Sequence, residues 1–275
     1  MIMVRLIILS IIFTAFSGCS NGQDKMYAND IELYKNTPAW ALAQAVESQD
    51  VEKIKTLSKS DPDLLKYQEK KFGQTLLEWA VYTDRYEATK ALSEAGADPN
   101  IQSYNGTSAF IHAADKNNTS DYVRLLLQFG ANVNQVAKST NGKKQYLKTP
   151  LIAGARSRLE TVKILIKSGA EINYYEDKMY RNALDAACTL DKIETVKFLL
   201  ENGADFRQPF MVNMDGDSLY LCNCLRNLRF DLDSKEYKTK MEVVEFLEER
   251  GINYWETPIP KRFYDLYPKE YLEKY

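Results

Sequence analysis

Histidine is almost missing from this chain, with His112 alone among 275 residues. That closes most routes to acid–base chemistry near neutral pH, where imidazole is the usual carrier. Cysteine is scarce too, at four residues. No G-x-S-x-G, no H-E-x-x-H and no glycine-rich phosphate loop after a strand occurs. Neither sign of charge prevails: 36 Lys and Arg face 38 Asp and Glu, a formal net charge of −2. There is no global positive field to attract nucleic acid. No enzyme, cofactor, metal site or nucleic-acid partner is expected from this inventory. What is present, 45% hydrophobic and 27% charged residues, is the composition of a globular protein with a sizeable core.

The N-terminus has its own character. Arg5 gives a positive start, Leu6 to Phe16 is an apolar stretch of signal-peptide length, and the small residues Ser17 and Gly18 precede Cys19. The run is too short to span a bilayer. The stretch AFSGC resembles a bacterial lipobox, departing from it at Phe16, where Leu is usual. The resemblance implies a signal peptide over 1–18, cleavage before Cys19 and lipid on that cysteine. Ser20, in place of Asp, implies sorting to the outer membrane of a Gram-negative envelope in preference to the inner one, with the chain facing the periplasm. Residues 19–36 are polar and read as a flexible tether. Cys188, Cys222 and Cys224 then remain, an odd number that argues against a disulfide framework. They read as buried structural cysteines. Cys222 and Cys224, two apart on a helix, diverge too far to share an ion.

One short turn recurs: GADPN at 96–100, GANVN at 130–134, GAEIN at 169–173, GADFR at 203–207 and, more weakly, GINY from Gly251. The glycines of two pairs, 96 with 130 and 169 with 203, lie 34 residues apart, and the longer gaps read as insertions into a repeat of roughly 33 residues. Ahead of each glycine lies an apolar stripe at helical spacing, as in Val196, Leu199 and Leu200. The glycine ends that helix by taking the left-handed conformation. The turn recurs because the helix does.

A second helix precedes each of these. GQTLLEWAV from Gly73, GTSAFIHAA from Gly106, KTPLIAGA from Lys148, RNALDAAC from Arg181 and DSLYLCNC from Asp217 resemble the ankyrin signature T-P-L-H-x-A-A, best at Thr149-Pro150-Leu151. TPAWALAQA from Thr37 reads as a degenerate first copy. The resemblance implies an all-α solenoid of about six helix–turn–helix repeats over 37–254 with short hairpin connections, and 255–275 as a C-terminal cap. The small residues Ala113, Ala114, Gly154, Ala155, Ala186 and Ala187 would let stacked helices approach closely. Where ankyrin repeats carry His, this chain has Trp40, Glu78, Ile111, Ile152, Asp185 and Leu221, so the hydroxyl-to-imidazole bond of the family is expected to be absent.

Two insertions depart from the repeat. QVAKSTNGKKQYLK lengthens the hairpin after the third repeat around Asn141-Gly142, and NLRFDLDSKEYKTK separates the last two helices. Ankyrin-like repeats imply protein binding through the inner helices and hairpin tips. The aromatics placed there are Trp79, Tyr82, Tyr104, Tyr146, Tyr174, Tyr175 and Tyr180, of the kind that dominate binding hot spots. His112 joins them as a partner-contact residue, with no carboxylate or nucleophile in reach to make it catalytic. The expectation is a monomeric, lipid-anchored, non-enzymatic binding module, resembling immunity proteins that cover an antibacterial effector such as a secreted lipase. The alternative is a periplasmic scaffold that supports envelope enzymes.

Overall fold

The computed structural model describes residues 26–142, 149–175, 182–212 and 216–275. Six helix pairs follow one another: α1 (Trp40–Glu47) with α2 (Val51–Ser60), α3 (Leu76–Tyr82) with α4 (Tyr86–Glu94), α5 (Ala109–Asp115) with α6 (Asp121–Gln128), α7 (Pro150–Ser157) with α8 (Leu159–Lys167), α9 (Ala183–Thr189) with α10 (Ile193–Glu201), and α11 (Leu221–Leu225) with α12 (Lys235–Glu248). The odd-numbered helices stack on one another as an inner row, and the even-numbered ones as an outer row. A single apolar core runs through the pairs, from Ile31 to Tyr254. One two-stranded hairpin, β1 (Met211–Val212) against β2 (Ser218–Leu219), leads into α11. Among the described residues, no helix is long and apolar enough to cross a membrane.

Local sequence explains the starts of four inner helices. Thr75, Ser108, Thr149 and Asn182 sit at the N-caps, where their side-chain oxygens accept the N–H groups of Glu78, Ile111, Ile152 and Asp185 at 3.2, 3.3, 3.2 and 2.8 Å. Each satisfies a donor that the first turn leaves open. Gly154, inside α7, has a packing reason: a Cβ there would lie 3.0 Å from Thr161 Cγ2 and 3.1 Å from Leu165 Cδ1, so a side chain would push α8 off the stack.

The asparagine that closes the recurrent turn has a role that its spacing alone did not show. Asn100 Nδ2 donates to the Gly130 carbonyl at 3.0 Å, while its Oδ1 accepts the Asn132 N–H at 2.7 Å. Asn134 does the same to Gly169 and Glu171, at 3.0 and 2.8 Å, and Asn173 to Gly203 and Asp205, at 3.0 and 2.8 Å. Each turn is thereby stitched to the next. In the fourth turn Arg207 replaces the asparagine and reaches the Arg250 carbonyl only at 3.3 Å, so the ladder stops before the last pair. Asn134→Ala removes two inter-repeat bonds without touching the core. We expect a loss of about 2 kcal/mol at two net bonds of about 1 kcal/mol each, read as a fall in Tm and in the urea midpoint.

Two expectations need correction. Cys188 and Cys224 are joined in a disulfide, with Cα atoms 6.3 Å apart, and Cys222 is the free, buried thiol. The odd count decided nothing, because α9 and α11 are neighbours and bring two of the three together. The insertion before α12 is partly helical, since α12 already begins at Lys235. At two of the positions where the family carries His, a carboxylate accepts hydroxyl bonds: Thr189 Oγ1 donates to Asp185 at 3.0 Å within α9, and Glu78 gathers the hydroxyls described below.

Past α12 the chain runs through short turns to α13 (Lys269–Leu272). There Phe263, Leu272 and Tyr275 form a second, smaller core, packed against Tyr237 of α12.

Candidate protein-binding surface

The wall formed by the inner helices and hairpins is built around Glu78. This carboxylate, wholly buried, accepts from Ser103 Oγ at 2.9 Å and from Thr107 Oγ1 at 3.0 Å, both on the hairpin that leads into α5. His112 Nε2 lies 3.2 Å from the same Oε1 atom. The expectation that no carboxylate reaches His112 is therefore wrong: α3 and α5 stack so that the residue in the signature's His position lies beneath the variable position of the next repeat. What the pair does there is orient a ring. The His112 side chain keeps 18% of its surface exposed, and Tyr82 packs on it with ring centroids 5.2 Å apart.

Next to this platform, Asp115 faces Arg156 of α7, with Arg156 Nε 3.9 Å from Asp115 Oδ1. Burial pushes the Asp115 carboxyl up, and the charges of Arg156 and His112 offset that in part. Lys116, which follows α5, is held 2.6 Å from Asp84 and lies over the Tyr122 ring at 5.1 Å.

The predicted aromatics divide. Tyr82 and Tyr104 are exposed, at 46% and 40%. Trp79 is not on the surface at all: at 1% exposure it is the largest fully buried side chain, so its assignment to the interface is corrected to core. Six of the seven α3 residues are buried, which leaves Tyr82 as that helix's outward side chain. Tyr104 has two duties. Its ring covers Gly73, where a Cβ would lie 2.6 Å from it, and its backbone joins neighbouring fingers, with its N–H donating to the Phe72 carbonyl and its carbonyl accepting from Thr140 N–H. Tyr174 and Tyr175 are half-buried, Tyr174 against the core. Tyr146, Tyr180 and Cys19 lie outside the described residues.

The sequence reading overlooked the far end of the wall. Leu190 and Tyr220 are exposed at 39% and 42%, beside a groove of about 360 Å³ between α9 and α11 with Asp185, Asn227 and Arg262 in its lining. Leu190 lies outside the signature and Tyr220 takes the place of its usually buried Leu, and nothing local marks a groove that the disulfide shapes. Among the described residues, no group of three or more His, Cys, Asp or Glu side chains could hold a metal ion.

The stitched turns, capped inner helices and two-row stack agree with what the comparisons find. The family model described as ankyrin repeats in three copies matches residues 42–137, 95–176 and 137–209. The chain belongs to the ankyrin-repeat family. Ankyrin repeats are typically non-catalytic scaffolds for protein–protein binding. A putative ankyrin repeat protein of Rickettsia bellii is 29% identical over 152 residues, 54% of this chain and 20% of that protein. Protein PhlB of Serratia liquefaciens is 33% identical over 113 residues, 41% of this chain and 48% of PhlB. The chain thus spans less than half the length of either curated relative. The crystal structure of the ankyrin repeat protein EF0377 superposes with a TM-score of 0.53 at 25% identity, covering 76% of this chain and 96% of that one.

Proposed function

We propose that this ankyrin stack is a non-enzymatic binding module held by lipid on Cys19 in a bacterial envelope, facing the periplasm, and that it neutralises an antibacterial effector such as a secreted lipase by covering its active site. The observation that carries the binding role is the Tyr82–His112 platform. Buried Glu78 and its hydroxyl donors fix the imidazole, so two rings are offered with little conformational entropy left to lose on association. The location is supported by AFSGC ahead of Cys19 and by the Cys188–Cys224 disulfide, a bond that persists in oxidising compartments and is rare in the cytosol. That both curated relatives come from bacteria is in keeping with it.

The test is affinity purification from envelope extract, followed by a binding and inhibition assay with the protein recovered. A single stoichiometric effector, inhibited on binding, is expected, and Tyr82→Ala should weaken the complex about tenfold while leaving Tm unchanged. Several weak partners with no inhibition would replace this reading with the scaffold for envelope enzymes. The anchor is tested separately: Cys19→Ser should abolish fatty-acid labelling, and labelling that persists would refute it.

A further inference from the structure

We infer that α11 is a redox-latched element, held in the inner row by the Cys188–Cys224 bond and released from it by a thiol reductant. The case rests on four weaknesses that meet at this helix. It is five residues long, where the other inner helices have seven or eight. Its N-cap is Tyr220, whose own side chain supplies no capping bond; the turn is closed instead by Asn223 Oδ1 accepting the Tyr220 N–H at 2.9 Å. The asparagine ladder ends one repeat earlier, at Arg207. Grooves also flank it on both sides, the one against α9 and another of about 340 Å³ towards α12, walled by Leu221, Cys222, Leu247 and Ile252. At the helix end, buried Arg226 stacks on Tyr254 and reaches the Tyr254 and Trp255 carbonyls through Nη2 only at 3.4 Å, while its Nε and Nη1 find no hydrogen-bond partner, which offsets part of that hold.

Against these stands one covalent tie. Both cysteines line the groove between α9 and α11, but Cys188 is wholly buried and Cys224 only half-buried, so attack by a small thiolate starts at Cys224. The first thiolate forms a mixed disulfide with Cys224 and displaces Cys188 as thiolate. A second thiolate then releases Cys224, and two reductant thiols leave as their disulfide. Two electrons pass to the protein, and two protons complete the pair of cysteine thiols. The groove that α9 and α11 share, with Tyr220 on its rim, is then complete only in the oxidised chain.

The experiment compares hydrogen exchange of the full chain with and without dithiothreitol, alongside Cys224→Ser. Alkylation of the denatured chain, mapped by mass spectrometry, reports which of Cys188, Cys222 and Cys224 are thiols in each state. The bond closes a 36-residue separation, and constraint of a loop this size is expected to matter by about 100-fold or more. Amides of α11 should therefore exchange about 100-fold faster once the bond is cut, while those of α5 and α7 change less than threefold. Three results would overturn the proposal: Cys188 and Cys224 alkylated without reductant, α11 exchange unchanged after both become thiols, or loss of protection spread evenly over the stack. Dithiothreitol acts on the native chain, so the answer does not depend on the serine variant folding.

Discussion

Trp79→Ala will cost about 4 kcal/mol of stability, within the range for truncating a fully buried aromatic, and will do so through the stack and not through any partner contact. Trp79 stands at 1% exposure in the continuous core, on an inner helix wedged between α1 and α5. A void the size of an indole cannot collapse there, because Leu76, Leu77 and Ala80 on the same helix are already fixed against other neighbours. Urea denaturation should show a lower midpoint with little change in slope. Tyr82→Ala, three residues on, removes a side chain that is 46% exposed and should leave the midpoint where it was. Equal midpoint shifts for the two variants would mean that the surface and core assignments of α3 are wrong.

Trp79 also shows where sequence reasoning ran out. The signature places it at the variable position, the same one that His112 occupies in the next repeat, and the two differ only in what the stack lays over them. Periodicity resolves which helix a residue is on and roughly which face it takes. It does not resolve how deep the wall is at that point. The architecture was legible because most repeats restate it: the glycine after every outer helix but the first, the hydroxyl or amide at the N-caps of α3, α5, α7 and α9, the alanines where α5, α7 and α9 touch. The binding platform was legible only in part. Tyr82, Tyr104 and His112 were named, but the carboxylate that orients His112 is 34 residues from it and was noted only as a departure from the family's usual residue. The role of Asn100, Asn134 and Asn173 and the pairing of Cys188 with Cys224 share that cause. Each depends on which atoms of one repeat face the next, and that is fixed by the superhelical stacking of whole units, not by local spacing.

The second large effect is a pH dependence centred on Lys240. This residue of α12 is wholly buried, its Nζ 3.2 Å from the centroid of the Tyr275 ring and 5.5 Å from that of Tyr254. The Arg226 guanidinium stacks on the other side of the box, 4.1 Å from the Tyr254 centroid and 5.3 Å from that of Trp255. Burial, and next the positive charge of Arg226, bring the Lys240 amine down to about 6 from its ordinary 10.5. Aromatic faces favour the charged form, but they return only part of what dehydration removes. Between pH 6 and 10.5 the unfolded chain therefore holds a proton that the folded chain lacks, so stability rises with pH across that window by up to about 1.4 kcal/mol per unit. Below pH 6 both states carry the proton and this contribution to the slope vanishes. Lys240→Met keeps the length and apolar stem of the side chain while removing the titrating group. Its unfolding free energy should be flatter from pH 6.5 to 9, and higher than that of the parent chain at pH 7 by several kcal/mol, because burying an amine beside a guanidinium is a cost that methionine does not carry. Differences between the two chains cancel the contribution of Cys222, whose thiol burial pushes up and which both retain. Parallel pH curves would show that the amine stays charged in its aromatic box.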